Sequence, residues 1–227
     1  WVRLRRDDRR WAGPLLVETL SRAAAAVQTE SPGAPLRVAD LSGPGGGRIE
    51  GHRSHRSGRD ADVLFYVVDA AGRSVASPGF VHFGNDLVAI AGGRPYRLDV
   101  ERTWQFVRAL LDDPAEGVEW LFVSHAVEER LLAHAVGRAE PVALVVRAGE
   151  ILHQPYDSEP HDDHLHLRVM CAPIERAFGC ADAGPLRGRA ARDLGKLDGP
   201  IAAWTDEAIV AALRTRGREP PRLAHRL

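Results

Sequence analysis

The sequence predicts an α+β fold. Strand-like and helix-like segments are mixed along the 227 residues without the regular strand–helix alternation of a parallel α/β protein. Long glycine-rich loops separate them, "SGPGGG" at Ser42–Gly47 being the densest. No internal repeat interrupts the chain.

Each element has its own signal. Trp1–Trp11 carries five arginines and two aspartates and reads as a solvated terminal arm. From Pro14 to Gln28, Leu16, Leu20, Ala24 and Val27 recur at helical spacing, with Pro14 suited to a first turn. "SPGAP" at Ser31–Pro35 ends that helix, and Leu36–Leu41 reads as a strand. Ser42–Gly47 is a loop, and without a closing Gly-Lys-Ser/Thr it is not a phosphate cradle. Ala61–Asp69 is apolar enough for a buried strand, followed by a turn at Ala71 and Gly72. Ser77–Pro95 reads as irregular. Asp99 caps a helix to Leu111 that places Val100, Trp104, Val107 and Leu111 on one face. Val118–Ser124 is a strand and Ala126–Gly137 a helix stopped by its glycine. Pro141–Leu152 fits strand or helix, with helix preferred, and Asp163–Met170 is a strand. Beyond Cys180 the chain is rich in Gly, Arg and Pro, with one helix expected at Thr205–Leu213. The expected organisation is an N-terminal arm and helix (1–30), a central domain (31–182) and a C-terminal extension (183–227).

Charge narrows the partners. The formal net charge is −1, so the chain as a whole attracts neither nucleic acid nor an anionic membrane. The longest apolar run, near Val63–Val68, is far short of the roughly 20 residues that cross a bilayer. A start at Trp1, not Met, leaves room for an upstream segment, and a secretion signal is one expectation. Cys171 and Cys180 read either as two buried thiols or as a disulfide closing a short loop.

Five of the ten histidines fall in two short stretches, "GHRSHRSGRDADV" (Gly51–Val63) and "HDDHLHLRV" (His161–Val169). In a strand, side chains two apart share a face. His164, His166 and Arg168 then point one way, while Leu165, Leu167 and Val169 point into a core. In the earlier stretch His55 and Asp62 are seven apart, with Gly58 between them to let the chain turn back. A carboxylate at the start of a buried strand is costly unless something positive meets it. Two imidazoles, one carboxylate and an open fourth position form a ligand set that suits zinc better than calcium or magnesium.

The pairing is more specific than either stretch. "SHRSGRDAD" followed far downstream by His-x-His resembles the LAS metallopeptidases. "DLSGPGGGRIEGHRSHRSGRDADVLFY" with "HDDHLHLRVMCAP", and "WLFVSHAVEERLL" between them, is similar to the penicillin-insensitive murein endopeptidases of peptidase family M74. The resemblance covers roughly Leu36 to Cys180. It implies a central antiparallel sheet with flanking helices and long loops. It implies Zn2+ held by His55, Asp62 and His166, with His164 as general base or transition-state stabiliser. His161 would hold the oxyanion or orient His164, and His52 would lie beside the site. Asp60 is expected to support the ligands, and a family cysteine at the position of Cys171 implies a Cys171–Cys180 disulfide. A further Asp and His with which some members bind more metal find no match in this chain.

The implied activity is hydrolysis of D-alanyl–diamino acid cross-links in peptidoglycan, in a periplasmic or otherwise extracytoplasmic setting. Two alternatives remain: a D-alanyl-D-alanine carboxypeptidase or dipeptidase on the same scaffold, and a non-catalytic module that keeps zinc for structure. The first of these usually places an acid near His-x-His, where this chain has histidines. Asp162 and Asp163 read as a solvated loop or as acceptors for an imidazole N–H. The loop Gly43–Gly47 and the stretch His82–Asp86 are expected to line a cleft. Arg48, Arg53 and Arg168 are candidate anchors for substrate carboxylates, or simply solvated or paired. His82, His125, His134, His153 and His225 have no partner spacing and read as ordinary histidines.

Overall fold

A computed structural model describes residues 1–4, 8–113, 117–182 and 184. The helix expected at Thr205–Leu213 lies outside the described residues. Pro14 opens α1 (Pro14–Glu30), whose Leu16, Leu20, Ala23, Ala24 and Val27 are buried at spacings of three and four. The helix ends where Ser31 N–H closes on Val27 O at 2.8 Å. Ahead of it the terminal arm is stitched down, contrary to a solvated reading. β1 (Val2–Arg3) runs parallel to β2 (Arg37–Val38), Trp11 and Ser42 exchange backbone bonds at 2.9 Å, and Arg9 pairs with Asp40 at 3.1 Å. The arm's arginines concealed a backbone free to extend a sheet edge.

The main sheet has the order β1-β2-β3-β10-β8-β9, with β3 at Asp60–Leu64, β8 at Val118–Phe122, β9 at Leu152–His153 and β10 at His164–Val169. Its centre is antiparallel as expected, but β1/β2 and β8/β9 pair in parallel at the two edges. The rungs set Asp62 opposite His166 and Asp60 opposite Arg168 on one side, with Phe122 and Trp120 opposite the same two residues on the other. Leu165, Leu167 and Val169 are buried on the far face, in one apolar cluster with Val27, Trp104, Val107 and Leu131. The core lies behind the sheet and leaves the histidine face to the other side.

Ala61–Asp69 is not one continuous strand. The ladder of β3 ends at Leu64, and Val67–Val68 forms β4 in a second, four-stranded sheet of order β5-β4-β7-β6. Here β5 is Ser74–Val75, β6 Val88–Ala91 and β7 Arg94–Leu98. The β6–β7 hairpin corrects the irregular reading of Ser77–Pro95. Gly92 and Gly93 both take positive φ, 54° and 73°, as a two-residue hairpin turn of the twist-matched kind requires. Pro95 lies beyond the stretch of β7 that pairs with β4, so it breaks no ladder bond there.

Asp99 accepts the Arg102 N–H at 3.1 Å and caps α2 (Val100–Leu111) as the sequence indicated. α3 (His125–Gly137) includes Gly137 as its last residue, and the chain turns just after it at Ala139, φ 53°. The ambiguous stretch Pro141–Leu152 is helix α4 (Val142–Ile151), burying Val145, Ala148 and Ile151. Cys171 and Cys180 form a disulfide across a short helix, α5 (Pro173–Ala177).

Candidate metal centre

The earlier histidine stretch reaches β3 through a tight return. Gly58 has φ +76°, and a Cβ there would lie 2.8 Å from Gly13 N, so only glycine fits both the turn and the contact. The return carries His55 back over Asp62. Both are buried, and so is His166 from the central strand β10.

Three donor atoms converge. His55 Nε2 lies 3.1 Å from Asp62 Oδ1, His166 Nδ1 lies 3.1 Å from the same oxygen, and the two nitrogens are 3.3 Å apart. Their outer contacts set the protons. His55 Nδ1 faces the Leu41 carbonyl at 3.3 Å, and His166 Nε2 faces the Asp60 carboxylate at 3.0 Å. In the neutral rings each outer nitrogen therefore carries the hydrogen, and each inner nitrogen presents a lone pair. Two lone pairs and a carboxylate oxygen facing one another repel unless a proton or a cation lies among them.

The surrounding carboxylates and imidazoles favour positive charge on the rings and negative charge on the acid. Burial disfavours the charged form of His166, but its bonds to Asp60 and Asp62 and their charges raise it. Burial would raise Asp62, yet the His164 charge and the bonds from His164, His166 and His55 hold it well below the usual carboxylate range.

The same geometry fits a tetrahedral ion. The 3.1–3.3 Å edges place a tetrahedral centre about 1.9–2.0 Å from each donor, close to zinc–nitrogen and zinc–carboxylate lengths. Calcium needs six to eight oxygens at longer range, which this nitrogen-rich set does not offer. Asp62 Oδ2 is also buried without a hydrogen-bond partner. Two groups of potential metal donors are present among the described residues, His52–His55–Asp62 and His161–His164–His166, and the trio joins them.

The remaining predicted residues fall around this point. His164 Nε2 is 3.3 Å from Asp62 Oδ1, while its Nδ1 is held by Asp163 at 2.5 Å. Burial pushes His164 down, but the Asp62 charge and the bonds to Asp163 and Asp62 outweigh it and hold the imidazole up at about 10. His161 stands with ring centroids 5.2 Å from His164 and 5.8 Å from His166. Burial, then the nearby charges of His164 and His166, push it down to about 4. His161 is thus neutral beside a charged His164. His52 bonds Asp40 through Nε2 at 3.0 Å, and its ring lies tilted against His55 with centroids 4.2 Å apart.

Two of the candidate arginines have protein partners. Arg53 is exposed and pairs with Asp157 at 2.8 Å, and Arg168 bends inward onto Asp60 and Glu119. The glycine loop lines a cavity of about 250 Å3 with Trp11, Ser42, Arg56 and Gly58. The His82 stretch flanks the site, with His82 bonded to Asp162 at 2.7 Å and the Phe80 ring 5.3 Å from His164.

Sequence reasoning missed three residues that touch the centre. Asp40 holds His52, Phe122 stacks 5.3 Å from the His166 ring, and Ser54 Oγ lies 3.2 Å from His166 Nε2. Asp40 did carry a signal, an acid closing the apolar stretch "LRVAD".

The fold and the site together define an α+β protein with a buried histidine–aspartate centre that could hold a metal ion. The chain belongs to peptidase family M74, described as penicillin-insensitive murein endopeptidase, whose sequence model matches residues 1–212. It is similar to proteins of that name from Haemophilus influenzae (27% identical over 201 residues, 80% of this chain and 62% of the relative) and Klebsiella pneumoniae (27% over 189 residues, 80% and 61%). The Yersinia pestis relative is 27% identical over 175 residues, 74% of this chain and 57% of its own. The chain spans about six tenths of the length of these curated relatives.

Proposed function

We propose that this chain is a zinc-dependent murein endopeptidase with the LAS-type ligand arrangement, hydrolysing D-alanyl–diamino acid amide bonds between peptidoglycan peptides outside the cytoplasm. The observation that carries the reading is the convergence of His55 Nε2, His166 Nδ1 and Asp62 Oδ1 at tetrahedral spacing. Family membership supports the peptidase class, and the relatives' names supply murein as substrate. A disulfide fits an oxidising compartment. Among the described residues no helix is long and apolar enough to cross a membrane.

His55, Asp62 and His166 would hold the ion. A bound zinc supplies Lewis acidity, acidifying a water and polarising the scissile carbonyl. The chain's own groups do the rest. Asp163 fixes the Nδ1 hydrogen of His164 and so aims Nε2 at the centre, where it can take a proton and pass it to the leaving amine. His161, neutral and close to both rings, is placed to bond the developing oxyanion. Phe122 covers one face of His166 and keeps water from it.

The test separates ligand from base. His166→Ala should lose zinc and activity together, whereas His164→Ala should keep zinc and lose cleavage of cross-linked muropeptide dimers. Cleavage of D-Ala-D-Ala-ended peptides instead of dimers would select the carboxypeptidase. Zinc bound by wild type with no turnover of either would select the structural module. Absence of zinc from wild type would end the proposal.

A further inference from the structure

The carboxylate that orients His166 is itself held by a line of buried charge. Asp60 accepts from His166 Nε2 at 3.0 Å and from Arg168 Nη1 at 2.8 and 2.9 Å. Arg168 turns its Nε to Glu119 Oε2 at 3.1 Å. The same oxygen accepts from Arg59 Nη1 at 3.2 Å. Arg59 also donates to Val169 O at 3.2 Å and reaches Asp182 Oδ1 at 3.5 Å. Asp182, two residues past the disulfide, accepts the Cys171 N–H at 2.7 Å. The signs alternate along the whole line, from the central strand across β3 and β8 to the disulfide-closed loop.

Packing does not require this line. The Asp60 and Glu119 side chains are fully buried and Arg59 is 6% exposed. Apolar residues of similar volume fill such space at no greater cost, because a buried ion pair must offset the desolvation of both partners. Charge retained here needs a task, and the geometry gives one. Arg168 is the most exposed member, at 21%, and is bridged by two carboxylates on different strands. Glu119 is the carboxylate that holds Arg168 Nε on the β8 side, and its loss frees the guanidinium to rotate away from the sheet. Asp60 would turn with it, and the His166 ring would lose the bond that points Nδ1 at Asp62 and His55.

We propose that Glu119, acting through Arg168 and Asp60, is a positioning residue for the centre: it locks the ring angle and inner lone pair of His166. The inference rests on the reading of His166 as a ligand. Partners outside the ligand set typically change metal affinity 10–100-fold when altered.

The experiment uses the full chain with Glu119→Gln, which keeps shape and removes charge, and Arg168→Lys as a second variant should the first not fold. Asp113→Asn is the control: Asp113 is a buried carboxylate bonded to Arg22, which is not a member of this line. Zinc affinity is read by competition with a chromophoric chelator, geometry by the visible bands of the cobalt-loaded protein, and stability by urea unfolding. Glu119→Gln should weaken zinc binding about 10–100-fold and shift the cobalt bands. Asp113→Asn should lower the urea midpoint with affinity and bands unchanged. Wild-type affinity and bands in both network variants would overturn the positioning role while leaving the metal centre standing. No zinc binding by wild type would overturn the centre itself, and the inference with it.

Discussion

Loading the centre with zinc should expel a proton from His164. Before loading, the imidazole stands at about 10 against an ordinary 6.5, because its Nε2 lies 3.3 Å from Asp62 Oδ1 and its Nδ1 2.5 Å from Asp163. That preference for the charged form corresponds to ~5 kcal/mol. A doubly charged ion held within about 4 Å, at an effective dielectric near 20, opposes the imidazolium by roughly 8 kcal/mol. Repulsion exceeds the preference, so His164 becomes neutral at pH 7.5, the state a base requires. Asp60 and Asp62 raise His166 as well, so its Nδ1 gives up whatever proton it carries when it turns to the ion. Titration calorimetry in buffers of different ionisation enthalpy counts these protons from the slope of the observed heat. The expected count for wild type exceeds that for His164→Gln by about one. Equal slopes for the two proteins would refute the argument, because His164 would then not change charge when the ion arrives.

Two further outcomes test the scaffold. Replacing Cys171 and Cys180 with Ser removes a cross-link over nine positions, and urea unfolding should show a loss of ~2–3 kcal/mol in the chain-entropy account; a midpoint that does not respond to the change would place the bond outside the folded unit. Leu167→Ala opens a void behind His166 at a position with no solvent exposure and should cost about 2–5 kcal/mol; a loss well under 1 kcal/mol would mean that this face of β10 is not packed core.

Much of the molecule was legible because local rules agreed with tertiary demands. The alternation in "HLHLRV" gave β10 its two faces, and an acid at the head of an apolar strand pointed from Asp62 to a cation. Pro14 and Asp99 marked their helix starts for stereochemical reasons that no context overrides. The misses have equally physical causes. Gly92-Gly93 was a hairpin signal, but Pro95 and the surrounding glycines masked the short strands beside it. The terminal arm joined the sheet through its backbone, which side-chain charge does not report. Glu119 was unreadable because one acid in "VEWLFVS" looks solvent-facing until Arg59 and Arg168 arrive from 60 and 49 residues away. Long-range pairing of that kind leaves no mark on either segment alone.

Asp62 and His166 are neighbours across a single rung, yet 104 positions separate them along the chain. β10 enters last, between β3 and β8, which flank it on either side. A nascent chain without β10 leaves the facing edges of β3 and β8 unpaired and Asp62 without His164 and His166. Such slow, non-local closure ties the birth of the reactive cluster to completion of the sheet. A product cut short before β10 lacks His164 and His166, so the donor cluster cannot form until the sheet is complete.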